Sequence, residues 1–415
     1  MTKLVKKRSL IFLFFFFSLL ISLFFKENSS GGAQIDFEIT RQFVENFKLG
    51  FLHGLNYFIG TSQLQSPFYF IIIAYLEKIF NLQIIQLSYV IISSFLPIIF
   101  YSILKKRYNS VNNKNYLFYI ACLLFLSPYF RSSSSWLTND NLALIFFSLS
   151  ISKFLNTEKN KLIFKNFFYC FFYLFIASYI RQYYIIFFFL YLFEATKKLK
   201  IDQLFKLIIF CILLSLPGIF YITLFIEKYN FLSAKELKPN YISNLYIYLS
   251  IIFFYLFPFF FNKKGIFSVK EFILNNKIFN VFLIIIFIIS CKYFTYSTIN
   301  ELGGGAIYKI SKAINTYQFF FIICYISLLI ILTNIDFNKK NFVIYLSLYL
   351  AFPFSIIYQK YYDPLILIVF FGLLNQNSVK KLILNKLFKM NLLYSYYLFL
   401  YLFFIFYYGY SNKLI

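Results

Sequence analysis

Apolar runs separated by short polar, lysine-rich clusters cover this chain almost from end to end. A helix that crosses a membrane needs about 20 predominantly apolar residues. Runs near that length recur at 84–104, 207–226, 243–261 and 391–410, with shorter ones at 116–130, 278–293, 317–333, 341–358 and 364–375. The pattern predicts an all-α polytopic membrane protein with about thirteen transmembrane helices. Residues 1–415 read as a single integral membrane domain, with no separate soluble domain.

The positions of the basic residues orient these runs, because cytoplasmic loops carry an excess of Lys and Arg. Lys3, Lys6, Lys7 and Arg8 precede the first run, which stops abruptly at Lys26-Glu27-Asn28 without a small-residue cleavage site. It reads as an uncleaved span with its N-terminus in the cytoplasm. Residues 26–83 then form the first outer loop, with interfacial helices inside it. One is an amphipathic stretch with Phe43, Val44 and Phe47 at helical spacing. Another is the run Phe68–Phe80, opened by Ser66 as N-cap and Pro67 at the first helical position. About 13 residues are too few to cross. If that run did cross, Lys105-Lys106-Arg107 would fall outside and every later loop would invert. Kept in the interface, it puts Lys105–Arg107, Lys153 with Lys161, Lys263-Lys264, Lys339-Lys340 and Lys380-Lys381 with Lys386 inside. The stretch 167–195 must then be two short spans turning at Arg181-Gln182, and the C-terminus lies outside.

Composition agrees and removes several function classes. The chain is 61% hydrophobic and 13% charged, against roughly 45–50% and 25% for a soluble domain. The net charge of +25 would suggest nucleic acid on a soluble domain, but here the basic residues sit between apolar runs and no nucleic-acid partner is expected. Cys122, Cys170, Cys211, Cys291 and Cys324 lie in or at the ends of apolar segments without metal-ligand spacing, as small buried hydrophobes do. His53 is the only histidine, so a His-based metal site or triad has no support. Gly303-Gly304-Gly305 lacks the Lys-Ser/Thr of a phosphate loop and reads as a flexible hinge. No nucleotide-binding motif occurs, which excludes an ATP-driven pump unless a partner supplies the motor.

The polar residues left over gather at the outer ends of the spans. Gly31-Gly32 precedes Asp36-Phe37-Glu38, a turn that presents a carboxylate just after the first span. Asp140 opens the fourth span within Leu137-Thr138-Asn139-Asp140-Asn141; a carboxylate at a helix start is often no more than an N-terminal charge. Arg181 lies between two apolar stretches, where a guanidinium needs a wet cavity, a carboxylate or an anion. Lys360, in Tyr358-Gln359-Lys360-Tyr361-Tyr362-Asp363-Pro364, sits at another outer turn, against the usual bias. Arg131 and Lys309 are weaker instances, and Glu236 and Glu301 are further outer carboxylates.

This order of motifs resembles the GT-C superfamily of membrane glycosyltransferases: most closely the bacterial RgtA-like transferases, more distantly the dolichyl-phosphate-glucose glucosyltransferase family. In those proteins an acidic residue follows the first span, an interfacial helix opens with a Pro-x-x-Tyr-like sequence, and a second Asp opens the fourth span. Asp36 matches the first carboxylate, with Glu38 in the place of a second acidic residue. Ser66-Pro67-Phe68-Tyr69 matches the helix start, although the family more often shows two prolines, and Asp140 matches the second Asp. Arg181-Gln182 resembles the Arg-Gln of the glucosyltransferase relatives. Gln359–Pro364 resembles their late Arg-Tyr motif with Lys360 in place of Arg.

The resemblance implies an enzyme, a hexosyl- or glycosyltransferase, that moves a sugar from a polyprenyl-phosphate donor to a lipid-linked or cell-envelope glycan acceptor. It implies a multi-pass protein in the bilayer of a bacterial inner membrane, with the ER membrane as alternative, acting on the outer face. Asp36 is then the catalytic base, Glu38 or Asp140 orients the acceptor or holds a divalent metal such as Mg or Mn, and Arg181 and Lys360 bind the donor phosphate. No cofactor is otherwise expected. Such a reaction needs one base for the acceptor hydroxyl. The leaving group is already a phosphate anion, so the second, protonating carboxyl group of a glycosidase is not required. A polymerase or ligase of lipid-linked oligosaccharides would place its site in a large late outer loop, and the late loops here are modest. A flippase or transporter would place ionisable groups at mid-span, often in repeated or broken helices, and no internal repeat is seen.

Overall fold

The structure is a computed structural model and describes residues 2–61, 65–109, 114–159, 162–228, 240–260, 263–296, 303–334, 339–374, 383 and 389–411. All regular elements among these residues are helical. Glu236, Glu301, Lys161, Lys380, Lys381 and Lys386 lie outside the described residues. The chain forms two compact units, Met1–Phe231 with Tyr397–Ile415, and Leu232–Tyr396.

In the first unit, α1 (Thr2–Phe24) is followed by three short helices, α2 (Ala33–Leu49), α3 (Phe51–Gly60) and α4 (Phe68–Glu77). Gly31 turns the chain into α2 with φ +76, and the Tyr408 ring packs so closely that a Cβ there would meet it at 2.2 Å. The amphipathic spacing of α2 does what the pattern predicts, burying Phe43, Val44 and Phe47. Phe43 meets Phe58 of α3 and Phe70 of α4 at 4.7 and 5.0 Å. On the other side of α2, Arg41 and Lys48 both pair with Glu77 of α4. Ser66 Oγ accepts the Phe68 N–H at 3.2 Å, satisfying one of the free donors that every helix start leaves. With ten residues α4 is about 15 Å long, half the thickness of a bilayer core.

Next come α5 (Leu82–Ser93) and α6 (Phe95–Arg107), then α7 (Lys114–Cys122), a 3₁₀ turn, and α8 (Pro128–Ser135). Residues 131–139 do not form the short outer loop that the pattern predicts. Their first part is the buried helix α8, in which Ser132 to Ser135 are all hidden from solvent. The run can be buried because three of its hydroxyls turn back on the preceding turn and the fourth, Ser133, accepts from Thr138 Oγ1. Ser132 donates to Pro128 O, Ser134 to Phe130 O and Ser135 to Arg131 O, at 2.9, 2.9 and 3.2 Å. Arg131 is buried too. Its guanidinium binds Glu27, Ser18 and a backbone carbonyl and lies 4.6 Å over the Tyr401 ring, while the Tyr401 hydroxyl donates to Glu27 at 2.9 Å. Helices α9 (Asn139–Thr157), α10 (Ile163–Ile180), α11 (Phe188–Lys198) and α12 (Ile201–Lys228) complete this part.

The second unit holds α13 (Tyr241–Phe260), α14 (Lys263–Asn275), α15 (Lys277–Cys291), α16 (Gly305–Ala313), α17 (Tyr317–Asn334), α18 (Lys339–Leu350) and α19 (Leu365–Gly372). The last helix, α20 (Met390–Ser411), begins here and ends in the first unit. Gly303-Gly304-Gly305 is not a loose hinge. All three glycines are buried with φ between +73 and +81. A Cβ on Gly303 would meet Ile356 at 2.4 Å. The missing side chains let Gly304 N–H reach Ile357 O and Ala306 N–H reach Gln359 Oε1, both at 2.8 Å.

Among the described residues five helices are long and apolar enough to cross a membrane: Leu82–Arg107 (α5 with α6), Ile163–Ile180, Ile201–Ile226, Tyr241–Phe260 and Met390–Tyr408. A sixth is reached if α14 and α15, bent by 103° where they join, make one broken span. Arg8–Phe24, Lys114–Leu126 and Tyr317–Thr333 are apolar but shorter. The protein is helical and membrane-type. Two stretches expected to be spans are clipped: α18 stops at Leu350, before an irregular segment, and α19 has only eight residues.

Candidate functional site

The candidate site is where the end of α10 meets the start of α9. Sequence decides both ends. Arg181 stops α10 by leaving helical geometry, with φ −140 and ψ 107. The chain continues as a 3₁₀ turn, Gln182–Phe187, and returns as α11, so the apolar stretch is broken at the charged residue as the pattern predicts. Phe171 of α10 then packs on Phe188 and Tyr191 of α11.

On the opposite side, Leu137 takes a left-handed conformation, φ +50, and α9 begins two residues later. Two tyrosines hold this turn. The Tyr69 hydroxyl of α4 donates to Leu137 O at 2.7 Å, and the Tyr89 hydroxyl of α5 donates to Thr138 O and accepts the Leu142 N–H. Asn141 reaches back into α8, donating to Phe130 O at 2.9 Å and to Ser134 Oγ at 2.8 Å. Asn139 Nδ2 donates to Ile180 O at 3.4 Å, tying the start of α9 to the residue before Arg181.

Asp140 therefore stands against Arg181. Nη2 of Arg181 lies 2.9 Å from both Asp140 oxygens. Thr138 Oγ1 is 3.3 Å from Asp140 Oδ2, and Tyr183 also interacts with this carboxylate. Asp140 is thus more than a charge at a helix start: it is the partner of the buried guanidinium. Asp36, in the first turn of α2, lies within electrostatic reach of Arg181 as well. Burial works against the charge of Arg181, but Asp140, Tyr183 and Asp36 outweigh it and hold the guanidinium above its ordinary pKa.

The structure thus pairs Asp140 with Arg181 and leaves Asp36 within electrostatic reach of that pair. Glu38 is exposed and accepts from Gln34 Nε2 at 3.1 Å. Lys360 belongs to the second unit, in the 3₁₀ turn Gln359–Tyr361, with Nζ 5.5 Å from the Tyr358 ring centre. Beside it, Gln359 is buried and donates to the Tyr255 hydroxyl at 2.9 Å. Arg131, another cation in the sequence pattern, is engaged by Glu27, Ser18 and Phe125 O.

Two polar atoms at the site are buried with no hydrogen-bond partner among the described residues: Arg181 Nε, a donor, and Gln182 Oε1, an acceptor. Buried polar groups are ordinarily paired, so this corner offers one donor and one acceptor to a ligand. Sequence reasoning missed Gln182 as a contact and missed Tyr69, Tyr89 and Tyr183 as supports. A tyrosine within an apolar run gives no local sign that its hydroxyl is spoken for. Asp140 has both oxygens on the Arg181 guanidinium, and a divalent cation such as Mg²⁺, ordinarily held by one or two carboxylates with waters and substrate phosphate, would have to share that carboxylate. No group of three or more His, Cys, Asp or Glu side chains is assembled for a metal among the described residues.

In comparisons with family models, curated proteins and solved structures, the chain matches none.

Proposed function

We propose that this protein is a membrane glycosyltransferase that moves a sugar from a polyprenyl-phosphate donor to a glycan or lipid acceptor on the outer face of the membrane. The observation that carries this is a buried guanidinium with an unused donor, Arg181, paired with Asp140 and within electrostatic reach of Asp36. A glycosyl transition state develops positive charge at the anomeric carbon while negative charge grows on the departing phosphate. The mixed-sign cluster suits both ends of that charge separation.

In the proposed step the acceptor oxygen bonds to the anomeric carbon as the bond from that carbon to the phosphate oxygen breaks. The acceptor proton passes to Asp36, and the polyprenyl phosphate leaves as an anion beside Arg181. Attack opposite the leaving group inverts the anomeric centre. Asp140 holds the guanidinium in place, and the exposed Glu38 is open to the acceptor. No step is routed through a metal. The proposal carries with it the thirteen-span topology, cytoplasmic N-terminus and external C-terminus, and placement in a bacterial inner membrane.

Mass spectrometry of membrane lipids from a deletion strain tests it. A polyprenyl-phosphate monosaccharide is expected to accumulate in the deletion and in a strain carrying Asp36→Asn, with turnover falling about 10²- to 10⁴-fold, the usual contribution of a general base. Full complementation by Asp36→Asn overturns the assignment of the base. Accumulation of a polyprenyl-pyrophosphate oligosaccharide instead would mark a polymerase, ligase or flippase.

A further inference from the structure

The two polar stretches 105–114 and 153–165 carry eight Lys and Arg and a single acid, Glu158. The packing of α6 on α9 brings their beginnings together at one end of the first unit. Lys106, in the last turn of α6, crosses to α9 and donates to Ser152 O at 3.0 Å and to Ser152 Oγ at 2.7 Å. Lys153 of α9 and Lys159, just past the end of that helix, stand within electrostatic reach of the Lys106 ammonium group. Glu158 is engaged by Arg107 at 2.9 Å.

Most of this charge is held in place without being neutralised. Lys105 Nζ lies 5.4 Å from the Tyr101 ring centre, and Lys153 Nζ 5.1 Å from that of Tyr169 in α10. Among the described residues, rings rather than carboxylates steady these two ammonium groups. Helices α6 and α9 both end here, and each end contributes about half a negative charge. Set against Lys105, Lys106, Arg107, Lys153 and Lys159, those two ends and Glu158 leave an excess of about three positive charges. Down the same helix the surface turns to hydrocarbon. Ile98, seven residues before Lys105 and so two turns along one face of α6, is 43% exposed, and Phe95, a turn further, is 50% exposed.

We infer that this cluster is a binding site for an anionic diacyl phospholipid of the surrounding membrane, with its phosphate among Lys106, Lys153 and Lys159 and its hydrocarbon against the exposed face of α6. Three ammonium groups in one another's field repel, and an anion among them turns that repulsion into attraction. A free anion would satisfy the charge but leave the hydrocarbon beneath it unused. A zwitterionic lipid brings its own ammonium group into a place already too positive. An anionic phospholipid matches both the charge and the apolar face, as basic pockets between membrane helices do for such headgroups. The site stands apart from Asp140 and Arg181, which lie at the opposite end of α9, and does not depend on the sugar-transfer reading.

The test is native mass spectrometry of the purified full-length protein after incubation with dioleoyl phosphatidylglycerol. One lipid is expected to stay bound under conditions that strip dioleoyl phosphatidylcholine. Lys153→Gln combined with Lys159→Gln spares the Lys106–Ser152 contact and is expected to weaken retention about 10- to 30-fold, the usual worth of two lysines facing an anionic lipid. Lys270→Gln combined with Lys277→Gln removes the same charge from the second unit and is expected to leave retention unchanged. A change of less than about threefold in the first double variant overturns the inference, as does an equal loss in the second. Retention of phosphatidylcholine as firm as that of phosphatidylglycerol overturns it too, marking a general lipid contact. Release of the lipid by about 10 mM inorganic phosphate would assign the cluster to a free anion and overturn the lipid.

Discussion

Two arginines that look alike in the sequence have opposite fates, and the difference is countable in hydrogen bonds. Arg131 spends its guanidinium on Glu27, Ser18 and Phe125 O under the Tyr401 ring. Removing one member of a buried pair strands the other charge and costs about 3–5 kcal/mol. Glu27→Gln is therefore expected to lower the unfolding temperature in detergent sharply, whereas Glu27→Leu with Arg131→Leu should be milder than either single change. Arg181 uses Nη2 on Asp140 and keeps Nε in reserve. Arg181→Lys keeps the charge but loses the planar fork. Losing a charge-assisted bond of about 1.5–3 kcal/mol should raise KM for the donor about 10- to 100-fold, read in a transfer assay with purified lipid donor. Arg181 was legible because one charge in an apolar run demands a partner. The role of Arg131 was not, since Glu27 and Tyr401 are far away in sequence and leave no local periodicity behind.

At the level of elements, breaks were easier to read than lengths. The turn at Arg181 and the start of α4 after Ser66-Pro67 follow from local chemistry and stand where the pattern puts them. Helix α8 does not, because a serine run reads as a loop unless its hydroxyls find partners, and only the packed helix supplies them: a carbonyl one turn back for Ser132, Ser134 and Ser135, and Thr138 for Ser133. The glycine run at 303–305 was misread for a related reason: glycine marks an unusual backbone without saying whether it is loose or tightly covered. A cavity of about 410 Å³ lined by residues of α3, α4 and α12 was invisible, because hydrocarbon that lines a pocket and hydrocarbon that faces lipid have the same composition. The turn into α2 allows a paired experiment. Gly31→Ala meets both a left-handed backbone and the Tyr408 ring, and should destabilise by more than about 1 kcal/mol. Gly32→Ala, at φ −124 with nothing within 4 Å of its Cβ, should change stability by less than about 0.5 kcal/mol. Thermal unfolding of the two variants side by side decides whether the turn beside Asp36 is held as tightly as it looks.

For the whole molecule, the orientation of every loop hangs on whether Phe68–Phe80 crosses. A membrane-impermeant maleimide applied to intact spheroplasts is expected to label Gln42→Cys directly and Lys105→Cys only after permeabilisation. Labelling of Lys105→Cys from outside would invert the topology beyond α4. The first unit is also discontinuous, since residues 397–415 complete what 1–231 begin. The Tyr401 hydroxyl that closes the Glu27–Arg131 cluster is 374 positions from Glu27. At about 5–20 residues per second of synthesis, it arrives roughly 20–75 s later. From the moment Arg131 is made until Tyr401 follows, an aqueous or chaperoned surrogate must cover the arginine, so an early-made part of this protein is among the last to be finished. A ribosome that stalls in α19 would leave a nearly complete chain whose Glu27–Arg131 pair still lacks the Tyr401 ring and hydroxyl.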